Sequence, residues 1–125
     1  MKPTVLIADD DPLLSELVEH HLKCAGFDTI TANSGTAALE VIRARQPNVA
    51  ILDAMMPAMG GVEVLRRMQR EGLFACTKAI MLTALSEEQN VVVAFKLGAS
   101  DFVAKPFSPD ELVLRTSRLL YAPAA

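Results

Sequence analysis

The residues best placed to do chemistry in this chain lie beside short apolar runs. Acids, one hydroxyl and one ammonium follow or open these runs: Asp9, Asp10, Asp11, Asp53, Thr83, Asp101 and Lys105. Carboxylates held a few ångströms apart repel each other by roughly a few kcal/mol per pair, so a cluster of them needs a proton or a hard cation. Mg²⁺ prefers oxygen ligands and is usually held by one or two carboxylates together with a phosphate. These residue types therefore predict a site for a cation and an anion together.

A single sheet must bring these residues together. Apolar runs alternate with helix-period segments along the chain, which predicts buried parallel strands at 5–8, 28–32, 49–52, 78–82 and 101–104. Five βα units with right-handed crossovers give a doubly wound (βα)5, flavodoxin-like parallel sheet with strand order 2-1-3-4-5. Strands 1 and 3 are then neighbours, so Asp9, Asp10 and Asp53 should meet at the carboxyl edge of the sheet.

The helix boundaries are marked by capping residues. Asp11 stands before Pro12 and is expected to cap the first helix, whose inward face should carry residues at helical spacing: Leu14, Leu17, Val18, Leu22 and Ala25. Ser34 can cap the second helix. Residues 86–89 and 108–111 both match the capping box, which predicts that the fourth and fifth helices begin there.

The composition favours one globular domain. The chain has 125 residues, of which 51% are hydrophobic and 22% are charged. We expect residues 1–121 to form this domain and residues 122–125 to be a tail or the start of a linker. The net charge of −3, the absence of Trp and the single Tyr argue against direct binding of nucleic acid.

Neither the apolar runs nor the cysteines indicate a membrane or secreted protein. No run approaches the roughly 20 residues that span a bilayer, and acids follow the first short apolar run, unlike a signal peptide. We therefore expect a cytoplasmic protein with no membrane association. Cys24 and Cys76 lack CxxC spacing and are expected to be reduced and mostly buried thiols.

Three of the polar residues suit a phosphoryl group when taken together. Alone, Asp53 could start a loop, Thr83 could be a β-branched strand residue and Lys105 could be an ordinary surface lysine. At neighbouring strand ends, however, Lys105 supplies a point charge and Thr83 a hydrogen-bond donor. Aspartate carboxylates can act as nucleophiles that form aspartyl phosphates. Asp53 is therefore a candidate phosphoacceptor.

Four segments, in this order and spacing, carry a resemblance to a known family. They are IADDDP at 7–12, LDAMMPAMGG at 52–61, LTA at 82–84 and DFVAKPF at 101–107. Together they resemble the receiver domain of response regulators, the CheY-like domain of bacterial two-component signalling. The match covers essentially the whole chain.

The resemblance implies a phosphoacceptor and a magnesium site. Asp53 would accept the phosphoryl group. Mg²⁺ would be bound directly by Asp10, by Asp53 and by the backbone carbonyl of Met55, with Asp9 acting mainly through water.

The resemblance also implies residues that hold the phosphoryl group and transmit its presence. Thr83, the backbone of Ala84 and Lys105 would contact the phosphoryl oxygens. The Lys105–Pro106 peptide bond would be cis, which proline alone allows at low cost. Phe102 occupies the place of the family's switch aromatic.

Partners and output follow from the same resemblance. The phosphodonor would be a histidine kinase or a phosphotransfer protein, and the chain would be a switch that catalyses only its own phosphorylation and dephosphorylation. Helix 4, strand 5 and helix 5 would form the output face, toward an output domain, a target protein or a second copy in a homodimer. Residues 91–95 are apolar in succession, which fits either this output face or a deeply packed helix.

Two apolar residues predict a long-lived phosphorylated state. Met55 and Leu85 stand at the two positions that flank the hydrolytic water in the family. Neither side chain can hold that water by a hydrogen bond, and both shield phosphorus from solvent. We therefore expect slow self-dephosphorylation.

Some positions depart from the family pattern. Gly60 stands where the family often has Asp, and is expected to loosen the loop after strand 3. Ser100 stands where OmpR/PhoB-type receivers usually have Asp, and Val93 and Lys96 replace charges that those receivers pair, whereas Arg115 matches their last helix.

Three other interpretations stay open at this point. The chain could be the excised receiver domain of a longer regulator with a DNA-binding or enzymatic output domain. A haloacid-dehalogenase-like phosphatase would need a carboxylate two residues after its nucleophile, where this chain has Met55; Asp9 and Asp11 have that spacing but lack the residues that should follow. A flavodoxin-like cofactor binder would need a Ser/Thr/Gly-rich loop where this chain has three acids.

Overall fold

Each predicted strand is present in the computed structural model of the chain, and the structure describes residues 2–84 and 88–121. The strands are β1 (Thr4–Ala8), β2 (Asp28–Ala32), β3 (Val49–Asp53), β4 (Lys78–Ala84) and β5 (Asp101–Lys105). All neighbouring pairs are parallel, and the order is β2-β1-β3-β4-β5. The predicted doubly wound sheet and its strand order are confirmed.

Five α-helices cover the two faces of this sheet. They are α1 (Pro12–Cys24), α2 (Gly35–Arg45), α3 (Gly61–Glu71), α4 (Glu88–Leu97) and α5 (Pro109–Tyr121), with a 3-10 turn at Leu73–Ala75. Within the described residues, none of the helices is both long and apolar enough to cross a membrane.

Alternate residues along the strands point to opposite faces of the sheet and form two separate hydrophobic cores. One face of the sheet, which includes Leu6 and Leu52, packs against α2, α3 and α4. The opposite face, which includes Ile7 and Ile51, packs against α1 and α5. All four of these side chains are at most 1% exposed. Burial of each such side chain stabilises the fold by about 1.5–3 kcal/mol, so the sheet is a rigid support for its own edges.

Short polar side chains cap three helices as predicted. The Asp11 carboxylate accepts hydrogen bonds from the N–H groups of Leu13 and Leu14 at the start of α1. Ser34 Oγ accepts from the Ala37 N–H in α2, and Ser108 Oγ accepts from two N–H groups in the first turn of α5. Loss of such a cap typically costs about 1 kcal/mol. The capping box at 86–89 lies partly outside the described residues.

Strands β4 and β5 run further than their apolar residues indicate. Parallel pairing continues through Thr83 opposite Ala104 and Ala84 opposite Lys105. The backbone ladder therefore extends past the point where the side chains become polar. Thr83 and Lys105 consequently belong to the sheet itself and share its rigidity.

Two predictions about burial are wrong. Leu17 is 46% exposed and Ala25 is exposed, because the inward stripe of α1 joins the correctly predicted Val18 and Leu22 to Ser15. The cysteines, predicted to be mostly buried, are both exposed free thiols. Cys24 is the last residue of α1 and Cys76 follows the 3-10 turn, and both places lie at the surface.

Candidate functional site

Three carboxylates converge at the carboxyl edge of the sheet. Ala8 at the end of β1 pairs with Leu52 in β3, so the next residues, Asp9 and Asp53, lie side by side. Asp9, Asp10 and Asp53 each offer a carboxylate oxygen within 4.8 Å of the others. Asp9 and Asp53 are buried, whereas Asp10 is exposed. The predicted acidic cluster is therefore present.

Lys105, at the end of the edge strand β5, provides the compensating positive charge. Its Nζ lies 2.7 Å from Asp53 Oδ2 and 3.5 Å from Asp9 Oδ2. Its side chain is only 31% exposed, because the methylene groups pack against the protein while the ammonium contacts the two buried acids. The contact with Asp9 was not predicted from the sequence, since 96 residues separate the two side chains.

Backbone donors fix the orientation of both buried carboxylates. The Met55 N–H donates to Asp53 Oδ1 at 3.0 Å, and the Asp11 N–H donates to Asp9 Oδ1 at 2.9 Å. The sequence predicts a role for the Met55 carbonyl, whereas the hydrogen bond from the Met55 N–H was not predicted. This hydrogen bond could have been predicted from the Asx-turn, in which an aspartate carboxylate accepts a hydrogen bond from the backbone N–H two residues later.

The cluster shifts the pKa of two of its members. Burial raises the pKa of Asp9, as does the negative charge of Asp53, against the lowering effect of the hydrogen bond from the Asp11 backbone. Burial by itself lowers the pKa of Lys105, but the hydrogen bond and charge of Asp53, with the charge of Asp9, raise it above its ordinary value. The buried acids are therefore under electrostatic strain that a further cation would relieve.

Thr83 and Ala84 lie at the same edge of the sheet, on the strand next to β3. Asp53 is paired with Leu82, and the Ala54 N–H donates to the Leu82 carbonyl at 2.9 Å, so Thr83 follows directly after the partner of Asp53. The Thr83 side chain is buried, and its Oγ1 donates to the carbonyl of Ala84 at 3.4 Å. Thr83 therefore lies one residue beyond the partner of Asp53, at the edge of the sheet where the acidic cluster lies.

The predicted switch residue contacts the helix that carries the candidate output face. Phe102 is half-buried on β5, and its ring meets the ring of Phe95 on α4 edge-on, with centroids 5.8 Å apart. The Lys105–Pro106 peptide bond is cis. Movement of Phe102 would therefore change its contact with Phe95 on α4.

The loop after β3 is tightly closed, contrary to the expectation for Gly60. A Cβ atom at Gly60 would lie 2.6 Å from the Ala54 carbonyl oxygen, and one at Gly61 would lie 2.6 Å from the Asp53 carbonyl oxygen. The Gly61 N–H also donates to the Ala54 carbonyl. The two glycines let the loop fold back against the end of β3, which holds the backbone around Asp53 in place.

The donor set fits a hard divalent cation. Counted with their ordinary formal charges, three carboxylates and one ammonium give the cluster a charge of −2, and the ligand atoms that the three acids offer are all oxygens. A cavity of about 470 Å³, lined by α1, the end of β2 and the start of α2, includes Asp9 and Asp10 in its wall. Oxygen ligands, spare negative charge and access for water are the conditions that Mg²⁺ requires.

Fold and site together define a flavodoxin-like α/β protein with a cation-and-anion site at its strand ends. A family model described as the response regulator receiver domain matches residues 5–117. The chain therefore belongs to the response-regulator receiver-domain family.

Named relatives agree with this assignment. The chain is 39% identical over 117 residues to the phosphate regulon transcriptional regulatory protein PhoB of Pseudomonas aeruginosa, covering 94% of this chain and 51% of that protein. It is 38% identical to the DNA-binding response regulator MtrA of Mycolicibacterium smegmatis, covering 92% and 49%. The chain thus spans about half the length of the curated relatives it matches.

Solved structures show the same fold. The receiver domain of the Francisella response regulator 1452 matches with a TM-score of 0.87 and 34% identity, covering 94% of this chain and 96% of that one. The chemotaxis response regulator CheY4 of Vibrio cholerae matches with a TM-score of 0.87 and 28% identity, covering 95% and 99%. The resemblance seen in the sequence is confirmed, and it is favoured over the phosphatase and the cofactor binder.

Removal of one buried charge should stabilise the protein in the absence of a divalent cation. Asp9→Asn keeps an acceptor for the Asp11 N–H but removes the charge next to Asp53, so we expect a gain of about 1–2 kcal/mol in the free energy of unfolding near pH 7. Because the pKa of Asp9 is raised in the folded state, ionisation of Asp9 costs stability as the pH rises through that pKa. The gain should therefore vanish in acid, where Asp9 is protonated.

Urea denaturation at several pH values, with chelator present, measures this difference. Asp28→Asn, at an exposed position on β2, is the matched control and should show no such pH-dependent gain. A destabilised Asp9→Asn at neutral pH would contradict the electrostatic description of the site.

Proposed function

We propose that this receiver domain is a phosphorylation-dependent switch that accepts a phosphoryl group on Asp53. The observation that carries this proposal is the 2.7 Å ion pair between Lys105 Nζ and Asp53 Oδ2, set beside two further carboxylates. A buried carboxylate held by one backbone N–H and one ammonium has a fixed direction of attack. Proteins accelerate phosphoryl transfer mainly by positioning the reacting groups in this way and by stabilising the charge on the phosphoryl oxygens.

The chain's own groups account for the transfer step. One Asp53 carboxylate oxygen attacks the phosphorus of a phosphohistidine on the donor protein, an O–P bond forms, and the N–P bond breaks with its electron pair left on the imidazole nitrogen. The Met55 N–H keeps the carboxylate in position. Lys105 neutralises charge on the phosphoryl oxygens, and Thr83 and the backbone of Ala84 supply further contacts to them.

The metal site of this proposal is built from the same cluster. Asp10, Asp53 and the carbonyl of Met55 would bind Mg²⁺ directly, and Asp9 would bind it through water. When bound, Mg²⁺ neutralises charge on the phosphoryl oxygens and on the acids themselves. The uncompensated negative charge at these residues supports the assignment.

The output of the switch is proposed to be the face formed by α4, β5 and α5. Large hydrophobic side chains exposed on the described parts of its helices include Val92 at 54%, Phe95 at 44% and Leu114 at 59%. Exposed apolar side chains that lie close together are typical of surfaces that bind other proteins, and this is the arrangement proposed for the face. Thr83 would move toward the phosphoryl group and Phe102 would follow it inward, which would withdraw the support that Phe102 gives to Phe95. The recipient is an output domain, a target protein or a second copy.

A DNA-binding output domain on the same polypeptide is a second candidate context. The relatives named PhoB and MtrA are a transcriptional regulatory protein and a DNA-binding response regulator, and the chain matches about half of each. In this context residues 1–121 are the receiver unit and residues 122–125, which lie outside the described residues, begin a linker. A histidine kinase or phosphotransfer protein as donor, and a cytoplasmic location, belong to the same proposal.

Asp53→Asn should abolish phosphoryl uptake. The amide is not a nucleophile toward phosphorus, so incubation with Mg²⁺ and a small acyl phosphate or amidophosphate should leave the variant unmodified, while the native chain gains one acid-stable, base-labile phosphoryl group. Intact-protein mass spectrometry measures the product. Asp28→Asn is the control and should react like the native chain; a phosphorylated Asp53→Asn would show that the acceptor is another residue.

Activation should change the α4-β5-α5 face. Beryllofluoride with Mg²⁺ mimics the phosphoryl group, and we expect it to alter amide hydrogen exchange in Glu88–Leu97, Asp101–Lys105 and Pro109–Tyr121. The same additions to Asp53→Asn should have no effect. Exchange differences limited to α1 and α2 would mean that the output lies elsewhere.

The phosphorylated state should be long-lived because Met55 and Leu85 cannot position a water. Met55 is 66% exposed beside the site, and Leu85 lies outside the described residues. We expect the variant Met55→Asn with Leu85→Glu to lose its phosphoryl group roughly tenfold faster, or more, because a polar side chain can then orient the attacking water. Decay of purified phosphoprotein measures the lifetime, with Met55→Leu as the apolar control. Equal decay of the native chain and the double variant would show that these side chains do not set it.

A further inference from the structure

A second pair of metal-ligating side chains lies at the opposite end of α1 from the acidic cluster. His20 and Cys24 are four residues apart, so they share one face of the helix, and His20 Nε2 lies 3.8 Å from Cys24 Sγ. Both residues are exposed at the surface. We propose that His20 and Cys24 chelate a thiophilic cation of the Zn²⁺ or Cd²⁺ type.

The separation of the two atoms matches the geometry of such a chelate. With Zn–S near 2.3 Å and Zn–N near 2.05 Å, a tetrahedral angle at the metal places the sulfur and nitrogen about 3.6 Å apart. The observed 3.8 Å corresponds to an angle of about 120° at the same bond lengths. A small side-chain rotation is therefore enough to bind the ion, with no change in the helix backbone.

The donor types select a different cation from that of the acidic cluster. Thiolate and imidazole favour Zn²⁺ and softer ions, whereas the carboxylate cluster favours hard cations such as Mg²⁺. Along a helix that rises 1.5 Å per residue, Cys24 lies roughly 18 Å from Pro12 at the other end of α1, so the two sites are separate. On binding, Cys24 loses its S–H proton to solvent and neutral His20 offers the Nε2 lone pair.

Two neighbouring side chains, Lys23 and His21, are paired with other groups. Lys23 Nζ lies 3.7 Å from Glu19, and His21 Nδ1 lies 3.6 Å from Asp110 on α5. His21 therefore reaches Asp110 on α5 and His20 reaches Cys24, and the two imidazole rings meet edge-on with their centroids 5.7 Å apart. The remaining coordination positions of a bound cation point to solvent, where water completes the shell.

Cadmium titration tests the chelate in the full chain. The Cys76→Ser variant serves as the parent, since it removes the other exposed thiol, and excess Mg²⁺ keeps the carboxylate cluster occupied. The thiolate-to-cadmium charge-transfer absorbance reports binding at sulfur, and calorimetry with Zn²⁺ in two buffers of different ionisation enthalpy reports the released proton. We expect one ion per chain and about one proton released per ion.

Two histidine variants separate the chelate from a thiol that binds alone. His20→Gln should weaken binding at least about tenfold, because one of the two protein ligands is lost. His21→Gln, adjacent in sequence but directed at Asp110, should bind like the parent, and Cys24→Ser should lose the absorbance. If His20→Gln binds as tightly as the parent, or if His21→Gln weakens binding equally, the chelate is wrong. Phosphoryl uptake on Asp53 should be the same in the Cys76→Ser parent and in the three variants made from it.

Discussion

The charge balance among Lys105, Asp53 and Asp9 is the interaction on which the rest of the structure depends. Two carboxylates buried side by side at a sheet edge repel each other unless a proton or a cation compensates their charge, and Lys105 is the cation that the fold provides. Lys105 compensates only part of the negative charge, because Asp10 adds a third acid to the cluster. The site therefore has a place for one more positive charge, and the proposed binding of a metal ion and a phosphoryl anion rests on this property.

The architecture follows from the need to bring these groups together. The strand order places β1 beside β3, and the ladder between β4 and β5 continues far enough to carry Thr83 and Lys105 to the same edge. Two hydrophobic cores, one on each face of the sheet, supply the stability that offsets the strained acids. The contact of Phe102 with Phe95 then links this edge to a surface that bears exposed apolar side chains.

Local sequence patterns predicted the strands, three of the helix caps and the meeting of Asp9 with Asp53, because these features depend on periodicity and on the few allowed connections of an α/β sheet. Contacts that depend on three-dimensional detail were missed. The ends of β4 and β5 are set by backbone pairing beyond the apolar residues, and the Lys105–Asp9 contact joins distant segments. Cys24 was misjudged because its residue type suggested burial, whereas its place at the last turn of α1 decides its exposure. The tight loop at Gly60 could be recognised only from the close approach to the Ala54 carbonyl.

The central claim is that a cation and an anion share one site, and a Mg²⁺ titration with and without beryllofluoride tests it most directly. If both bind at Asp53, each must strengthen the binding of the other by the same factor, because binding free energies are reciprocally coupled. The account predicts weak Mg²⁺ binding alone, at least about tenfold tighter binding when beryllofluoride is present, a change of about 1.4 kcal/mol, and loss of this coupling in Asp53→Asn. An unchanged Mg²⁺ affinity in the presence of beryllofluoride would contradict it.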